Sequence, residues 1–408
     1  MAKSPAIRAA KAASLSNPPV VSPKPSLPAG GSDAPRSALG MTADTTGLLD
    51  VAVEFERRRG RGAQSNASGR YEKKARIAVD DGWQNLEELA PFKTTVSLDA
   101  TRKIITTNDS PDISFDRSIN PYRGCEHGCI YCFARPTHAY LGLSPGLDFE
   151  SKLYMKPDAP ELLERELSAA KYSPRTIAIG TNTDPYQPIE KKYEIMRRIL
   201  QVLDRANHPV GIVTKSALVL RDIDILASMA KRNLAKVALS VTTLDPALAR
   251  VMEPRAATPQ RRLNALRELS SAGIPTTVMV APIIPAINDE EIERILDAAK
   301  AAGCTGAGYV LLRLPLEVRD LFKEWLMANF PDRYRHVLSL IRQTRGGKDY
   351  DAQWGKRMTG GGPVAWMIGR RVEQACERLG LNARKTRLTT DLFTPPRKQE
   401  EAAQLSLF

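Results

Sequence analysis

Between residues 105 and 330, short runs rich in β-branched residues alternate with segments of helical periodicity. The predicted strands are residues 176–180, 210–214, 237–242, 276–280 and 307–312. The predicted helices are residues 160–171, 189–207, 220–232, 259–272 and 289–302. With one more strand before residue 125, the alternation predicts six strand–helix units of an α/β fold with a parallel sheet. The pattern permits a barrel or an open sheet, and in both ligands bind at the carboxyl ends of the strands.

Three of the five cysteines lie within eight residues, in the arrangement C-x3-C-x2-C formed by Cys125, Cys129 and Cys132. Thiolates spaced this closely usually hold metal. An iron–sulfur cube normally takes four protein thiolates, so three leave one iron open for chemistry. Two other interpretations remain open: a zinc ion that His127 or His138 completes, and three unrelated buried cysteines.

With Tyr131 before the third cysteine, the loop reads C-x3-C-x-aromatic-C and resembles the signature of the radical S-adenosylmethionine (SAM) superfamily. The resemblance implies a 4Fe–4S cluster on the three cysteines, with SAM chelating the open iron through its amino and carboxylate groups. It also implies a partial (β/α)6 barrel, cleavage of SAM to a 5′-deoxyadenosyl radical, and an electron donor such as flavodoxin or ferredoxin. The backbone of Tyr131 would then lie near the adenine of SAM.

Polar residues cluster where the predicted strands end. They are Thr181, Asn182, Thr183 and Asp184 after the strand 176–180, Lys215 after 210–214, and Ser240 and Thr242 within 237–242. A cofactor with an ammonium, a carboxylate and a ribose needs such groups, and a lysine suits the carboxylate. We therefore predict that these residues bind the cofactor, although turns and helix caps also favour Thr, Asn and Asp.

Three segments are similar to the spore photoproduct lyase-like ("DNA repair photolyase") branch of this superfamily: GTNTDPYQPIE (180–190), VTKS (213–216) and EPRAATPQRRL (253–263). The similarity covers roughly residues 105–320. It implies that Thr183, Lys215 and Ser240 contact SAM. Glu253 and Arg255 become candidate catalytic residues, the alternative being an exposed ion pair.

One feature departs from that branch. True spore photoproduct lyases carry a hydrogen-donating cysteine near the position of Thr181 and Asn182, whereas this chain has no cysteine between residues 133 and 303. Cys304 and Cys376 are predicted to be small buried hydrophobic residues. Repair of the spore thymine dimer through that donor is therefore not expected.

The net charge of +13 is concentrated in two flanks. Residues 51–76 hold eight Lys or Arg against three acids, residues 342–387 hold eleven against four, and residues 77–341 are neutral overall. Basic flanks around a neutral core suggest a nucleic-acid partner, DNA first, although such flanks also occur on enzymes of small substrates. Since the chain has no apolar run of membrane-spanning length and no signal-peptide core, we expect a cytoplasmic protein without a membrane partner.

We predict five segments along the chain. They are a disordered tail (1–50), a basic arm and lead-in (51–104), the radical SAM core (105–330), a basic, mostly helical extension (331–394) and a flexible tail (395–408). The tail ends in Gln404, Leu405, Leu407 and Phe408, and QLSLF resembles the pentapeptide by which bacterial repair proteins engage the replication sliding clamp. The alternative is that this tail folds back on its own domain.

The leading hypothesis is a radical SAM enzyme that acts on nucleic acid, in DNA repair or base modification. A rival keeps the radical chemistry and changes the substrate to RNA, protein or a small metabolite. A rival from another class is a non-catalytic iron–sulfur or zinc protein whose basic flanks bind nucleic acid.

Overall fold

The computed structural model describes residues 60–72, 93–384 and 386–396. The predicted tail 1–50, residues 51–59 and 73–92 of the predicted arm and lead-in, and residues 397–408 of the predicted flexible tail, with the clamp-like residues 404–408, lie outside these described residues. The described residues contain two sheets and a set of helices that surround the larger sheet.

The strands are β1 (Thr95–Leu98), β2 (Thr106–Thr107), β3 (Arg117–Ile119), β4 (Tyr122–Arg123), β5 (Lys152–Met155), β6 (Ile177–Ile179), β7 (Val210–Thr214), β8 (Ala235–Ser240), β9 (Thr276–Ile283) and β10 (Gly306–Leu311). The helices are α1 (Leu147–Ser151), α2 (Ala159–Leu167), α3 (Glu190–Tyr193), α4 (Ile195–Arg205), α5 (Ile223–Lys231), α6 (Pro246–Met252), α7 (Pro259–Ser271), α8 (Ile292–Ala301), α9 (Val318–Asn329), α10 (Tyr334–Gln343) and α11 (Gly362–Leu379).

The larger sheet has the strand order β10-β9-β8-β7-β6-β3-β2, and a smaller one has the order β1-β5-β4. Neighbours from β3 to β10 run parallel, whereas β2 runs antiparallel to β3. The six parallel strands follow one another in chain order, whereas a doubly wound open sheet reverses its order at a switch point. This order, with β10 at one edge of the sheet, is that of a partial (β/α)6 barrel and confirms the six predicted units.

Amphipathic helices cover the strands. In α4, for example, Ile199, Leu200 and Leu203 recur at helical spacing and are fully buried in the same core as Ile212 of β7. The predicted helix 189–207 is divided into α3 and α4 at Glu194, whose φ of +48° interrupts the helix. Helix α6 was not predicted; it begins at Pro246, after Asp245 accepts a hydrogen bond from the Ala247 amide at 2.7 Å.

The C-terminal extension shares the barrel's core. Helix α11 packs against α8 and β10, and its residues Ile368 and Val372 join the main apolar cluster. Cys304 and Cys376 are buried in that same cluster, as predicted. Among the described residues, no helix has the length and apolar character that crossing a bilayer requires.

Candidate active site: the cysteine loop and the strand ends

The cysteine loop connects β4 to a 3-10 helix (Arg135–Leu141), just beyond the end of β3. Gly124 adopts a φ of +74°, a conformation that favours glycine. A Cβ atom there would lie 2.6 Å from Cδ2 of Leu153 and 2.8 Å from the carbonyl oxygen of Phe149. The loop is therefore folded so tightly that position 124 accepts only glycine.

The three thiols form no disulfide; Cys125 and Cys129 are buried, and Cys132 is half-buried. Burial, the dominant cause, raises the pKa of all three thiols, that of Cys129 to about 12. Thiols in such surroundings ionise when a positive centre joins them, and coordinated iron is such a centre. The donor set therefore fits an iron–sulfur cluster.

The two histidines that were candidate zinc ligands face other partners. Nδ1 of His127 lies 3.3 Å from Oδ2 of Asp184, and Nε2 of His138 lies 2.8 Å from the carbonyl oxygen of Lys152. In the described part of the chain, no three His, Cys, Asp or Glu side chains are arranged to hold one metal ion. One ring nitrogen of each histidine is therefore already engaged within the protein.

A buried ion pair supports the cysteine loop. Nη2 of Arg135 lies 2.5 Å from Oε1 of Glu150, and both side chains are fully buried. Arg135 also donates from Nε to the carbonyl oxygen of Cys129 at 3.0 Å and from Nη2 to that of Gly128 at 3.2 Å. The sequence analysis missed both charged residues, because neither belongs to a recognisable motif.

Residues 61–65 differ from the predicted basic arm. The sequence analysis predicted a basic arm and lead-in over residues 51–104 and a nucleic-acid partner for its charge, whereas residues 61–65 are buried against the cysteine loop. Arg61, for instance, donates from Nη1 to the carbonyl oxygen of Glu150 at 2.6 Å. The physical reason is that its two neighbouring glycines allow the backbone to approach the loop closely.

Asp184 links two strand ends to the cysteine loop. Its Oδ1 accepts a hydrogen bond from Oγ1 of Thr214 at 2.7 Å, and its Oδ2 accepts one from the amide of Lys215 at 2.7 Å. Burial raises the pKa of Asp184, but its interaction with His127 and its hydrogen bonds outweigh burial and hold that pKa at about 2. Asp184 is thus an ionised anchor whose oxygens are already engaged.

The residues before Asp184 are held by Asn120. Its Oδ1 accepts hydrogen bonds from the amides of Asn182 at 3.0 Å and Thr183 at 3.3 Å, and its Nδ2 donates to Oγ1 of Thr181 at 3.3 Å. The hydroxyl of Thr183 donates to the carbonyl oxygen of Tyr122 at 2.9 Å. These contacts fix the loop after β6. They are hydrogen bonds of a turn, which the sequence analysis gave as the alternative to cofactor binding for these residues.

Lys215 and Thr242 are better placed to meet a ligand. Nζ of Lys215 lies 5.7 Å from the ring centroid of Tyr131, so the ammonium reaches the cysteine loop. Thr242 is buried, and its Oγ1 has no hydrogen-bond partner among the described residues. An orphaned buried hydroxyl beyond the end of β8 fits a polar ligand at this edge. Ser240 is also buried, and its carbonyl oxygen accepts a hydrogen bond from Nη1 of Arg262 at 3.0 Å.

Glu253 is buried, whereas the alternative interpretation expected an exposed ion pair. Its carboxylate pairs with Nη2 of Arg262 and accepts a hydrogen bond from the hydroxyl of Tyr131. Burial raises the pKa of Glu253, but the charges of Arg262 and Lys215 outweigh it and lower that pKa. Glu253 is therefore an ionised anchor of the cysteine loop, with Arg262 as the partner that the sequence analysis missed.

Arg255 lies nearer the surface. Its Nη2 is 3.1 Å from Oε1 of Glu126, and its amide donates to the carbonyl oxygen of His127 at 3.2 Å. The amide of Ile130 likewise donates to the carbonyl oxygen of Met252 at 3.1 Å. The segment after α6 is therefore joined to the cysteine loop by backbone as well as side-chain contacts.

Three rings on or after the cysteine loop and on the segment after the buried residues 61–65 are exposed, and we call them the aromatic rim: Tyr71, Phe133 and Tyr140. Cζ of Arg313 lies 4.9 Å from the ring centroid of Phe133, which directly follows Cys132. The rings of Tyr71 and Tyr140 lie 5.3 Å apart, and Cζ of Arg70 lies 5.0 Å and 5.2 Å from their centroids.

This partial barrel, with a three-cysteine loop beside the carboxyl ends of its strands, defines the class of protein. The sequence model described as "Radical SAM superfamily" matches residues 119–299, and the chain belongs to that superfamily. This confirms the resemblance drawn from the cysteine motif. Members of this superfamily are enzymes that use a 4Fe–4S cluster and SAM.

Two relatives carry no assigned activity. The chain is 39% identical over 230 residues to an uncharacterized protein of Mycobacterium tuberculosis, covering 55% of this chain and 68% of the relative. It is 30% identical over 219 residues to an uncharacterized protein of Methanocaldococcus jannaschii, covering 54% and 78% respectively.

Among solved structures, the fold matches spore photoproduct lyase. A mutant with bound AdoMet and dinucleoside spore photoproduct superimposes with a TM-score of 0.52 at 15% identity, covering 70% of this chain and 80% of that chain. The fold is therefore shared with the branch that the sequence resembles.

Proposed function

We propose that Cys125, Cys129 and Cys132 hold a 4Fe–4S cluster, that SAM binds at the neighbouring strand ends, and that the substrate is nucleic acid. DNA is the favoured substrate, in repair or base modification. When bound, the cluster supplies the electron that cleaves SAM to a 5′-deoxyadenosyl radical, and a donor such as flavodoxin or ferredoxin replaces that electron.

The contacts support two different roles for the residues at the strand ends, namely contact with SAM and positioning of the loops. Lys215 carries the cation that suits the SAM carboxylate, and the free hydroxyl of Thr242 offers a polar contact. Asp184 and Thr183 hold the loops that present these groups, since their own polar atoms are engaged within the protein. The SAM pocket that we propose therefore lies among β6, β7, β8 and the cysteine loop.

The aromatic rim is the observation that carries the nucleic-acid assignment. Phe133 is 42% exposed and Tyr140 is 69% exposed, so both rings are accessible to a partner. Nucleic-acid bases stack on exposed aromatic rings, and arginine beside a ring adds charge that attracts phosphate. Arg313 has no carboxylate partner within the described ranges, so its charge is available to an anion.

The position of the rim supports the same proposal. Phe133 is the residue after Cys132, so a base stacked on its ring would lie close to the radical chemistry. The solved lyase with dinucleoside spore photoproduct shows that this fold accommodates a nucleic-acid lesion in that protein. In spore photoproduct lyases a cysteine near the site donates hydrogen. In this chain Cys304 precedes β10 and so lies at the opposite end of that strand from the site. We therefore do not propose the same lesion as the substrate.

Oligonucleotide binding tests the proposal. Wild-type protein should bind fluorescently labelled single-stranded or duplex DNA, and Phe133→Ala should weaken binding by about 1–3 kcal/mol for one lost base stack. Leu98→Ala, which removes an exposed apolar side chain from β1, is the control and should bind like wild type. Failure of the wild-type protein to bind DNA or RNA at moderate salt would remove the nucleic-acid assignment.

We also propose that the tail residues Gln404, Leu405, Leu407 and Phe408 bind the bacterial replication sliding clamp. The support is the QLSLF sequence after a polar tether, and these residues lie outside the described residues. Clamp binding would bring the enzyme to newly replicated DNA, which agrees with a DNA substrate.

A further inference from the structure

Residues 61–66 precede the superfamily match at residues 119–299, yet they lie against the cysteine loop. We call these six residues the strap. Its first five residues are buried, including the polar Arg61, Gln64 and Ser65. Arg61 is held there by hydrogen bonds from Nη1 to the carbonyl oxygen of Glu150 at 2.6 Å and from Nη2 to Oγ1 of Thr94 at 3.1 Å. The strap therefore has a specific bound position on the loop.

The closest approach joins Gly62 of the strap to Gly128 of the loop. A Cβ atom at Gly62 would lie 1.8 Å from the carbonyl oxygen of Gly128 and 3.0 Å from its carbonyl carbon. Both obstructing atoms belong to backbone, so a side chain at position 62 forces the strap or the loop to move. Gly128 precedes Cys129, so a movement of the loop at Gly128 would also displace Cys129, a proposed cluster ligand.

One buried carboxylate binds the strap and the cysteine loop together. Oε2 and Oε1 of Glu150 accept hydrogen bonds from the amides of Gly62 at 3.0 Å and Ala63 at 2.9 Å. The same carboxylate pairs with Arg135, whose guanidinium donates to the carbonyl oxygen of Cys129. Two successive strap amides thus complete the hydrogen bonding of an ion pair that positions a cluster ligand.

The far end of the strap is fixed independently. Asn66 donates from Nδ2 to Oδ1 of Asp148 at 3.1 Å and accepts from the Asp148 amide at 2.9 Å. Just beyond the strap, the hydroxyl of Ser144 donates to the carbonyl oxygen of Ala67 at 2.5 Å. Anchors at both ends make the strap a cover over the loop.

We infer that the strap is a positioning element of the cluster site: it holds Cys129 through Glu150 and Arg135, and it keeps water and oxidants from this side of the cluster. The inference rests on the cluster assignment to Cys125, Cys129 and Cys132 but not on the nucleic-acid substrate. The strap lies outside residues 119–299, which the superfamily model matches.

The test compares Gly62→Ala with Gly361→Ala in full-length, anaerobically reconstituted protein. Gly361 has extended backbone with open space around its Cβ position, so it is a matched control. The visible absorbance of the cluster should bleach about tenfold faster in air for Gly62→Ala, because overpacking by one methyl weakens closure of the strap by about 1.4 kcal/mol. Gly361→Ala should bleach like wild type, and equal rates for all three proteins would overturn the inference.

Hydrogen exchange of the wild-type protein provides a measurement that does not depend on a variant's folding. The amides of Gly62 and Ala63 should be protected when the cluster is bound. Exchange at unprotected rates would overturn the inference even if Gly62→Ala failed to fold. A wild-type protein that holds no four-iron cluster would instead remove the proposed function itself, so the two failures are distinguishable.

Discussion

Oδ2 of Asp184 lies 3.3 Å from Nδ1 of His127, inside the cysteine loop, while the same carboxylate accepts hydrogen bonds from the hydroxyl of Thr214 and the amide of Lys215. One side chain thus joins the loop that would hold the cluster to the strand ends that would hold SAM. The relative position of the two proposed cofactors is therefore fixed by contacts within the protein.

Lys215→Ala should weaken SAM binding and leave the iron content unchanged. A hydrogen bond to a charged group contributes about 1.5–3 kcal/mol, so the dissociation constant should rise roughly 10- to 150-fold. Isothermal titration of SAM into the reconstituted variant measures this change. Lys231→Ala, at the exposed end of α5, is the control. Unaltered SAM affinity in Lys215→Ala would mean that the pocket lies elsewhere.

Glu253→Gln should destabilise the fold much more than Arg255→Ala. Removing one partner of the buried pair leaves the Arg262 charge unpaired and costs about 3–5 kcal/mol. Arg255→Ala should cost less, because Arg255 is partly exposed and the buried carboxylate of Glu126 keeps its hydrogen bond from Oγ1 of Thr94 at 2.6 Å. Urea unfolding of the two variants compares these losses. Similar stability in both variants would show that Glu253 is not the anchor described above.

Stability should fall as the pH decreases from about 6.5 to about 4 because of His208. Burial lowers the pKa of His208 to about 4, so the folded protein binds this proton less readily than the unfolded chain. The stabilisation is complete above the unfolded pKa and is lost at about 1.4 kcal/mol per pH unit as the pH falls toward the folded pKa.

Thermal unfolding from pH 7.5 to pH 4.5 measures this dependence. His208→Gln, which retains a polar group near the Tyr172 hydroxyl, should make the profile less steep; the part due to His138, whose pKa burial also lowers to about 4, should remain. His336→Gln, on an exposed face of α10, should leave the profile unchanged. Identical slopes for wild type and His208→Gln would contradict the assignment.

A peptide of residues 395–408 should bind the bacterial sliding clamp with micromolar affinity, about −8 kcal/mol. The apolar side chains of Leu405, Leu407 and Phe408 would fill a groove, and Gln404 would donate a hydrogen bond at its rim. Fluorescence anisotropy measures the affinity, with Gln404→Ala as the variant that should lose it. A wild-type peptide that shows no binding would remove this partner.

The sequence predicted five of the six parallel strands because each is a short β-branched run followed by a helical period, whereas β3 was only expected somewhere before residue 125. It predicted the cluster ligands because three cysteines fall in one loop. It did not predict the division between α3 and α4, since a single residue with positive φ, Glu194, leaves no periodic signal. It also missed the pairing of Glu150 with Gly62 and Ala63, because those contacts join residues far apart in the chain. The sequence also did not predict that the strap is buried, because glycines among arginines are typical of solvated segments.

The cysteine variants provide the cluster test. Alanine at Cys125, Cys129 or Cys132 should abolish iron binding, whereas Cys304→Ala and Cys376→Ala should retain it, since both lie in the main core. The two core variants remove small buried side chains and so also control for loss of stability. Retention of the full iron content after removing a loop cysteine would contradict the ligand assignment.

The most direct test of the central claim is the formation of 5′-deoxyadenosine from SAM by anaerobically reconstituted protein with dithionite as reductant. We predict about four irons and four sulfides per chain, as a 4Fe–4S cluster contains, and cleavage of SAM by the wild-type protein. Cys129→Ala should form no 5′-deoxyadenosine. A wild-type protein that binds zinc, or that holds the cluster and leaves SAM intact under these conditions, would contradict the account.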